Sequence, residues 1–559
     1  MIHSAVAGSA GCRAVEVNQR ALIDKVLARY SGEFTVFREL LQNSDDAQSK
    51  SVEIHFESTA ETGEDGKLPD LKTALCQQWV FRNDGIPFRK EDWDRLKKIA
   101  EGNPDEDKIG AFGVGFYSLF SITEIPLVKS GNEWMGFYWR DNKESCFTVL
   151  CYCRDLIHAQ DQLYARRGVL PEATNYTSFE MPLREPMPMP MAFDFARFLC
   201  SSITFMTHLA EVSVYFNKDC LVRLHKQSLP LKSLGLPKGL KGSSPTGHML
   251  ITGLNSRPVD IQATIMRWVY AAGSVKPKPI VRPQEKTGGS ILSWFGLAGT
   301  PQRVATPLPP PPEEPLDLLS TIQTSVSLSI FSADVSVRLD KTSVTELHRA
   351  TKKNPPTKLK YELIYTAKDQ YDASKQEDQQ QSFATGSVFQ GLRADLDGEG
   401  STRIFIGHAT GQTTGLAGHM SARFIPTVER ESIDLMDRHV ASWNRDLLWV
   451  GGYLSRAAYE REFDQIGDEW TAAIKPGSPL DKVAELRKLE ARSLHTLRFM
   501  TFHPSTPSAE VSQLLQNAFF ECGPRHFLLM STVGVREASA IRYPDPTFAF
   551  LKDLPRYPV

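Results

Sequence analysis

The 559-residue sequence predicts a mixed α+β fold in which helices cover one face of a sheet. Apolar residues recur at helical spacing from Val17 to Tyr30 and from Phe34 to Gln48. β-rich runs follow, with the sequences SVEIHF, QWVFRN, IPLVKS, WMGFYW, CFTVLCYC and EVSVYFN. Phe193 to His208 shows the helical spacing again, just before the last of these runs. Strands interleaved with helices favour a sheet with a helical layer on one side.

Changes in composition divide the chain into five predicted parts. The first is a mixed domain over 15–225, followed by a connecting segment over 226–275. Residues 276–316 include four consecutive prolines and read as a flexible loop without a core of its own. Strand-like runs then predict a mixed α/β middle domain over 317–432, and helical spacing predicts a mainly helical C-terminal part over 433–559.

The bulk composition excludes several classes of protein. The formal net charge is -2, whereas an obligatory nucleic-acid partner would favour a strongly basic domain. No run of eighteen apolar residues predicts a membrane helix, and the N-terminus lacks the pattern of a signal peptide. Eight cysteines are few, and Cys151 and Cys153 lack a second pair to complete a zinc site. These features predict an intracellular protein, cytoplasmic or nuclear, with reduced thiols and without membrane or nucleic-acid partners.

The most informative segment is FTVFRELLQNSDDAQSK, from Phe34 to Lys50. At about 100° per residue, a helix here has one apolar stripe and one separate polar stripe. The apolar stripe consists of Phe34, Phe37, Leu40 and Leu41. The polar stripe consists of Glu39, Asn43, Asp46 and Lys50. By itself this pattern also suits an ordinary helix with a solvated face.

Two later segments favour a functional interpretation of that helix. In WVFRNDGIPFRKEDW, a β-rich run ends at a turn formed by Asn83, Asp84 and Gly85. In KIGAFGVGFYSLF, three glycines precede an apolar helical run. Glycine lets backbone amides approach a phosphate closely, and a helix N-terminus favours an anion.

In this order and spacing the three segments resemble the N, G1 and G2 boxes of the GHKL ATPases, over about 150 residues. The run GAFGVGFYS is similar to the ninety-kilodalton heat-shock chaperone. The run RELLQNSDDA, with NDG in place of D-x-G-x-G, resembles the sacsin and Nov branch. The resemblance implies a Bergerat-type ATP-binding sandwich as the N-terminal domain.

The resemblance also implies roles for single residues. Glu39 matches the acid that orients and deprotonates the attacking water, and Asn43 matches the amide whose oxygen ligates Mg²⁺. Asp46 and Lys50 match polar groups beside the nucleotide, and Thr177 matches the threonine behind the adenine. The phosphate-binding hinge of the lid corresponds to Gly110, Phe112, Gly113, Val114, Gly115 and Phe116.

The sequence departs from the family pattern at the adenine position. A gap-free alignment on Gly85 places Asn83 where the family has its adenine-binding aspartate. A shift by one residue would give that role to Asp84, so both remain candidates. Pro87 replaces the second glycine of the box, and Tyr176 stands where a glycine usually precedes the threonine.

A second resemblance lies in FIPTVERESIDL, from Phe424 to Leu435. This run is similar to the catalytic loop in the middle domain of the heat-shock chaperone. The resemblance implies that Arg430 reaches the γ-phosphate of ATP. The alternative is that this run is a helix N-terminus with a capping acid.

Taken together, the resemblances imply a sacsin-like, chaperone-type ATPase that couples Mg-ATP binding and slow hydrolysis to conformational change. ATP and Mg²⁺ would be its cofactors, and a protein client or co-chaperone its partner. Two alternatives are a nucleotide-gated scaffold with little turnover and a DNA-linked ATPase of the MutL type. The near-neutral charge disfavours the DNA-linked alternative. The sequence leaves open the client and the oligomeric state, a homo-oligomer included.

Overall fold

A computed structural model describes residues 18–28, 34–60, 67–98, 115–140, 162–273, 317–380, 386–427, 432–475, 482–524 and 526–542. The helices, α1 to α10 in chain order, are Gln19–Leu27, Thr35–Asp46, Lys90–Leu96, Ala192–Thr204, Arg267–Gly273, Lys341–Thr351, Lys368–Gln380, Arg438–Ile474, Lys482–Phe499 and Glu510–Glu521. Short 3₁₀ helices span Phe116–Ser121, Gln390–Leu392 and Ala538–Ala540.

Thirteen strands of the described chain form a single mixed sheet. The strands, β1 to β13, are Ser51–Ser58, Leu75–Asn83, Leu127–Arg140, Gln162–Pro188, Glu211–Phe216, Asp219–Ser228, Lys232–Leu234, Met249–Met266, Thr321–Val337, Lys358–Tyr365, Arg403–Phe405, Ala409–Thr413 and Met420–Ser421. Their order is β12-β11-β13-β10-β9-β8-β6-β5-β1-β2-β4-β3, and β7 pairs with β8. The pairs β1–β5 and β11–β13 are parallel, whereas the other paired strands are antiparallel.

The sheet continues from the N-terminal part of the chain into the middle part. Strands β8 and β9 lie on either side of the predicted Pro-rich loop, and they pair in antiparallel fashion over their whole length. β10 pairs with β9, and β13 pairs with β10. The two parts are therefore joined by backbone hydrogen bonds across strands as well as by the chain.

One face of this sheet, called the site face here, carries Asn83 and Thr177, which oppose each other on β2 and β4. The same face is covered by α2 and α4. The ring of Phe37 on α2 lies 5.5 Å from Trp79 on β2 and 4.7 Å from Phe195 on α4. The apolar stripe of α2 therefore builds the N-terminal core, and its polar stripe lies away from that core.

Helices of the C-terminal part pack on the opposite face of the sheet. Paired residues on β8, β9 and β10 carry the contact: Leu254, Ala333 and Tyr361 are all buried in the second apolar core. Gly451 of the 37-residue helix α8 lies against the Tyr361 hydroxyl, where a Cβ atom would not fit. The covering helices thus change faces along the sheet. A small hairpin of β14, Leu528–Ser531, and β15, Gly534–Glu537, follows α10.

The predicted α+β fold is confirmed, including the mixed middle part and the mainly helical C-terminal part. The runs IPLVKS and WMGFYW, predicted as two strands, belong largely to the single strand β3. The run CFTVLCYC and residues 276–316 lie outside the described residues. Within the described part of the chain, every helix is too short or too polar to cross a membrane.

Candidate functional site

The polar stripe of α2 faces the end of the glycine-rich segment. Glu39 is only 4% exposed, and its carboxylate lies against Gly115. A Cβ atom on Gly115 would stand 2.5 Å from Glu39 Oε2, so a larger residue here would displace the carboxylate. Asn43, one turn further along, is exposed. The helix therefore presents a buried acid and an accessible amide on one side, as the sequence predicts.

The polar stripe is shorter than its sequence suggests. Helix α2 ends at Asp46, which is half-buried, and Gln48 adopts a positive φ of 61°. Lys50 therefore lies beyond the helix, and its predicted place on the helical stripe is wrong. Its backbone instead joins α2 to the start of β1, where Lys50 N donates a hydrogen bond to Asp84.

Asn83 and Asp84 point to different sides of the sheet. Asn83 is the last residue of β2, is 4% exposed, and stands on the site face with Phe81 and Trp79. Its Oδ1 accepts a hydrogen bond of 3.1 Å from Gly85 N. This bond fixes the orientation of the amide at the end of the strand.

The Asp84 carboxylate is used to hold the start of β1. Its Oδ1 accepts hydrogen bonds from Ser49 Oγ at 2.6 Å and from the backbone nitrogens of Lys50 and Ser51 at 2.8 Å each. Partial burial raises the pKa of this carboxyl, but the hydrogen bonds from Ser49, Ser51 and Lys50 outweigh burial and hold the pKa below its usual value. Asp84 is therefore an ionised anchor between two segments of backbone.

The turn after β2 packs directly on the end of α2. Ile86 N donates to the carbonyl of Ala47 at 2.9 Å. A Cβ atom on Gly85 would lie 2.9 Å from both Cβ and O of Ala47. Gly85 is thus required for a close approach of two backbone segments, which brings Asn83 beside the polar stripe.

A hydroxyl pair lies next to Asn83 on the site face. Thr177, opposite Asn83 on β4, is 2% exposed, and its Oγ1 lies 2.7 Å from Ser130 Oγ on β3. Ser130 also accepts a hydrogen bond of 2.9 Å from Phe88 N. Ser130 could not be predicted as a site residue, because its run, IPLVKS, indicates only a strand.

The structure thus places Asn83, Gly85 and Thr177 together at the ends of β2 and β4, and it places Glu39 and Asn43 on α2, whose C-terminal end packs against Gly85. Phe116 is buried at the start of a 3₁₀ helix and packs with its ring 4.9 Å from that of Phe137. The remaining predicted residues of the glycine segment, Gly110, Phe112, Gly113 and Val114, lie outside the described residues, as does Arg430. In the described part of the chain, no group of three or more His, Cys, Asp or Glu residues could hold a metal.

A loop of the middle part contacts α2 beside the polar stripe. A Cβ atom on Gly407 would lie 3.1 Å from the side-chain carbonyl of Gln42, which is buried. Phe405, at the end of β11, lies with its ring 4.7 Å from Phe205, just after α4. Pro426, which precedes the segment with Arg430, lines the same cleft as Gln42. The sequence analysis did not identify Gln42.

Asp45 fixes the far end of α2 to the loop after α4. Its carboxylate accepts hydrogen bonds from the backbone nitrogens of Thr207 at 3.0 Å, His208 at 2.7 Å and Leu209 at 2.9 Å. These three bonds tie the C-terminal end of α2 to the loop after α4.

Comparisons with known proteins agree with this geometry. A family model described as "Sacsin domain" matches residues 17–147. Human "Sacsin" is 30% identical over 110 residues, which cover 19% of this chain and 2% of sacsin. "Chaperone protein HtpG" of Chlorobium phaeobacteroides is 28% identical over 135 residues, which cover 20% of this chain and 21% of HtpG. The solved "N terminal domain of a DNA repair protein" matches 43% of this chain and 69% of its own length, at 10% identity and a TM-score of 0.23, a similarity too low to support an argument.

The fold, the arrangement around α2 and these matches define the N-terminal part as a relative of sacsin and of the heat-shock chaperones within the GHKL ATPases. The chain spans only a small fraction of the length of these relatives. A second family model, described as "Protein of unknown function (DUF3684)", matches residues 203–558. The chain belongs to this family.

Proposed function

We propose that this chain is a chaperone-type ATPase that binds Mg-ATP between α2 and the ends of β2 and β4. The observation that carries the proposal is the convergence of Asn83 and Thr177 on the sheet face that α2 covers, with Glu39 buried against Gly115. An amide and a hydroxyl thereby stand on the sheet face that α2 covers, and an acid stands on α2 itself. Slow hydrolysis would be coupled to conformational change.

Adenine recognition is assigned to Asn83 and Thr177. The Asn83 amide carries both an acceptor and donors, so it can pair with the amino group and a ring nitrogen of adenine. Asp84 is given no part in this proposal, because Ser49, Lys50 and Ser51 hold its carboxylate through Oδ1 at the start of β1. Gly85 gives the base room to approach the turn.

The residues present fit a magnesium-bound nucleotide. Mg²⁺ prefers oxygen ligands, keeps several waters and is completed by phosphate oxygens, so the single amide oxygen of Asn43 suffices from the protein. When bound, the ion supplies charge neutralisation at the phosphates. Asp46 and Lys50 would lie beside the nucleotide, and the glycine segment would approach the phosphates with its backbone nitrogens.

Glu39 is proposed to orient the attacking water and to accept its proton. Its carboxylate is held close to Gly115, at the end of the segment assigned to the phosphates. A positioned base contributes typically 10²- to 10⁴-fold to the rate. Arg430 is proposed to reach the γ-phosphate from the middle part, where its guanidinium would contact two phosphate oxygens at once. The position of Pro426 near α2 supports this role.

The test uses Glu39→Gln in the full chain, with Glu57→Gln, an exposed acid on β1, as the matched control. Glu39→Gln should bind ATP as the parent does and release phosphate at least about 10²-fold more slowly. Equal turnover in Glu39→Gln and the parent would remove the catalytic assignment. A parent chain that binds Mg-ATP without releasing phosphate would instead favour the nucleotide-gated scaffold.

The relatives suggest the wider role. Because HtpG is named as a chaperone, we propose a protein client or co-chaperone as the partner and an intracellular location, cytoplasmic or nuclear. We propose that the limits of the five predicted parts of the chain are its domain boundaries. The continuous sheet implies that the first and middle parts act as one body on which α2 and its neighbouring loops move.

A further inference from the structure

A cleft of about 380 Å³ lies between α2 and the middle part of the sheet, and it is called the basic cleft here. Gln42, Phe205 and Thr207 line it on the N-terminal side, and Trp443 lines it on the C-terminal side. Its Lys and Arg residues, as far as the structure describes the lining, are Arg257, Lys353, Lys358, Lys360 and Arg423. The described lining has a single carboxylate, that of Glu362.

The register of the sheet explains why these charges gather. Lys358, Lys360 and Glu362 alternate along β10, so all three project from the same face. Arg257 on β8 stands on that face as well, and its Nη2 lies 3.5 Å from Glu362 Oε1. The sheet therefore presents three cations and the carboxylate of Glu362 to one side of the cleft, and Asp334 on β9 stands opposite Lys360 on the same face.

The positive charges on β8 and β10 are only partly compensated. Charge-assisted N–H···O bonds are normally about 2.7–2.9 Å long, so the 3.5 Å contact of Arg257 with Glu362 is weak. The Nε atom of Arg257 is buried and has no hydrogen-bond acceptor among the described residues. Burial raises the pKa of the Glu362 carboxyl, although Arg257, Lys360 and Lys226 oppose that effect. On this side of the cleft, the cations of β8 and β10 thus outnumber the carboxylates.

We propose that the basic cleft binds a small polyphosphate anion. Phosphate oxygens would accept hydrogen bonds from the guanidinium of Arg257 and from the ammonium groups of Lys358 and Lys360. The volume falls in the range of small-molecule sites, about 300–1,000 Å³. The cations come from separate segments that converge on this one space, which suits a compact anion better than an extended acidic peptide.

The site would adjoin the proposed ATP site without being part of it. Gln42 precedes Asn43 in α2, so the two side chains point about 100° apart around the helix axis. An anion in the cleft would contact the flank of α2 that also contacts Gly407. The proposal rests on the cleft alone and does not depend on whether ATP binds on the other flank.

The experiment is isothermal titration of the full chain with sodium tripolyphosphate in the presence of a chelator. The test variant is Lys358→Gln with Lys360→Gln, because both side chains are exposed and their loss should leave the fold intact. The matched control is Lys72→Gln with Lys482→Gln, two exposed lysines outside the cleft. Adenosine and ATP are titrated into each variant, and thermal unfolding verifies the fold.

The cleft variant should bind tripolyphosphate at least about tenfold more weakly than the parent, with adenosine affinity unchanged, whereas the control should bind it as the parent does. Three results would overturn the proposal. The parent could fail to bind tripolyphosphate, or the cleft variant could bind it with the parent's affinity. The cleft variant could also lose affinity for ATP as strongly as for tripolyphosphate, which would make the lysines part of the nucleotide site. Tighter binding of hexaglutamate than of tripolyphosphate by the parent would indicate an acidic peptide instead.

Discussion

Replacing Gly115 by alanine would place a methyl group where the Glu39 carboxylate now lies. The backbone of Gly115 has φ of −56° and ψ of −43°, a right-handed helical conformation that alanine adopts without strain. The added Cβ would meet Glu39 Oε2 at 2.5 Å, whereas an ordinary contact begins at 3.4 Å. The carboxylate must therefore move away by the difference between these two distances, about 0.9 Å, and the end of a flexible side chain can do so.

A displacement of this size should affect hydrolysis much more than folding. Misplacing a catalytic group by roughly 1 Å can lower the rate by about 10²-fold. The fold should be unharmed, since a compatible Gly→Ala change stabilises a protein by about 0.4–1 kcal/mol through the unfolded state. The expected result is therefore turnover about 10²-fold below the parent, with near-normal ATP affinity and an undiminished melting temperature.

The assay is phosphate release at saturating Mg-ATP, with thermal unfolding of the same samples. Gly467→Ala, on helix α8, is the matched control, because its added Cβ atom would lie at an ordinary 3.6 Å from Val535. That control should hydrolyse ATP as the parent does. If Gly115→Ala also retains parental turnover, the contact with Gly115 does not position Glu39 for catalysis. A proportional loss of stability and activity would refute the reasoning as well.

Four further perturbations test other parts of the structure. Asp84→Ala should lower the free energy of unfolding by about 1 kcal/mol at pH 7. Because the pKa of Asp84 is lowered in the folded protein, this stabilisation is lost as the pH falls through that pKa, so urea unfolding curves of parent and variant should converge in acid. Asn83→Ala should instead weaken adenosine binding. Burial lowers the pKa of Lys226 to about 8. The parent should therefore gain stability relative to Lys226→Met as the pH rises from about 8 to about 10, by up to roughly 3 kcal/mol in urea unfolding. Parallel pH profiles of the two proteins would contradict this. Gly407→Ala should lower the free energy of unfolding by roughly 1–2 kcal/mol because the φ of Gly407 is +72°. Adding Gln42→Ala should recover only the part of this loss that comes from the contact between the new Cβ atom and Gln42. An unchanged free energy of unfolding in Gly407→Ala would refute the packing of this loop on α2.

The local elements of the site could be predicted from the sequence because they depend on local periodicity. The apolar stripe containing Phe37 and Leu40 predicted the helix and its buried side, and the turn at Asn83 predicted the end of a strand. Where a single backbone angle decides the outcome, the prediction failed. The positive φ of Gln48 turns the chain before Lys50, and nothing in the helical spacing of that segment indicates it.

Long-range pairing decides the rest of the site, and a single sequence does not encode it in any local pattern. Ser130 and Thr177 form their hydroxyl pair across 47 positions of chain, and Asp45 holds backbone nitrogens more than 160 positions away. Spacing likewise shows that Tyr361 and Ile364 are apolar strand residues without showing what covers them. Tyr361 belongs to the core under α8, whereas Ile364 belongs to the N-terminal core on the other face.

The pairing of β8 with β9 constrains how a nucleotide could act on the middle part. Strands β8 and β9 tie the two parts along their full length, so a hinge between them would have to break many backbone hydrogen bonds. Helix α2, in contrast, contacts the turn at Gly85 at its C-terminal end and the loop at Gly407 through Gln42. A small rotation of α2 on nucleotide binding would press on that loop and on the basic cleft next to it. The coupling that we propose should therefore run through Gln42 and its neighbours, and variants there should alter it without altering adenine binding.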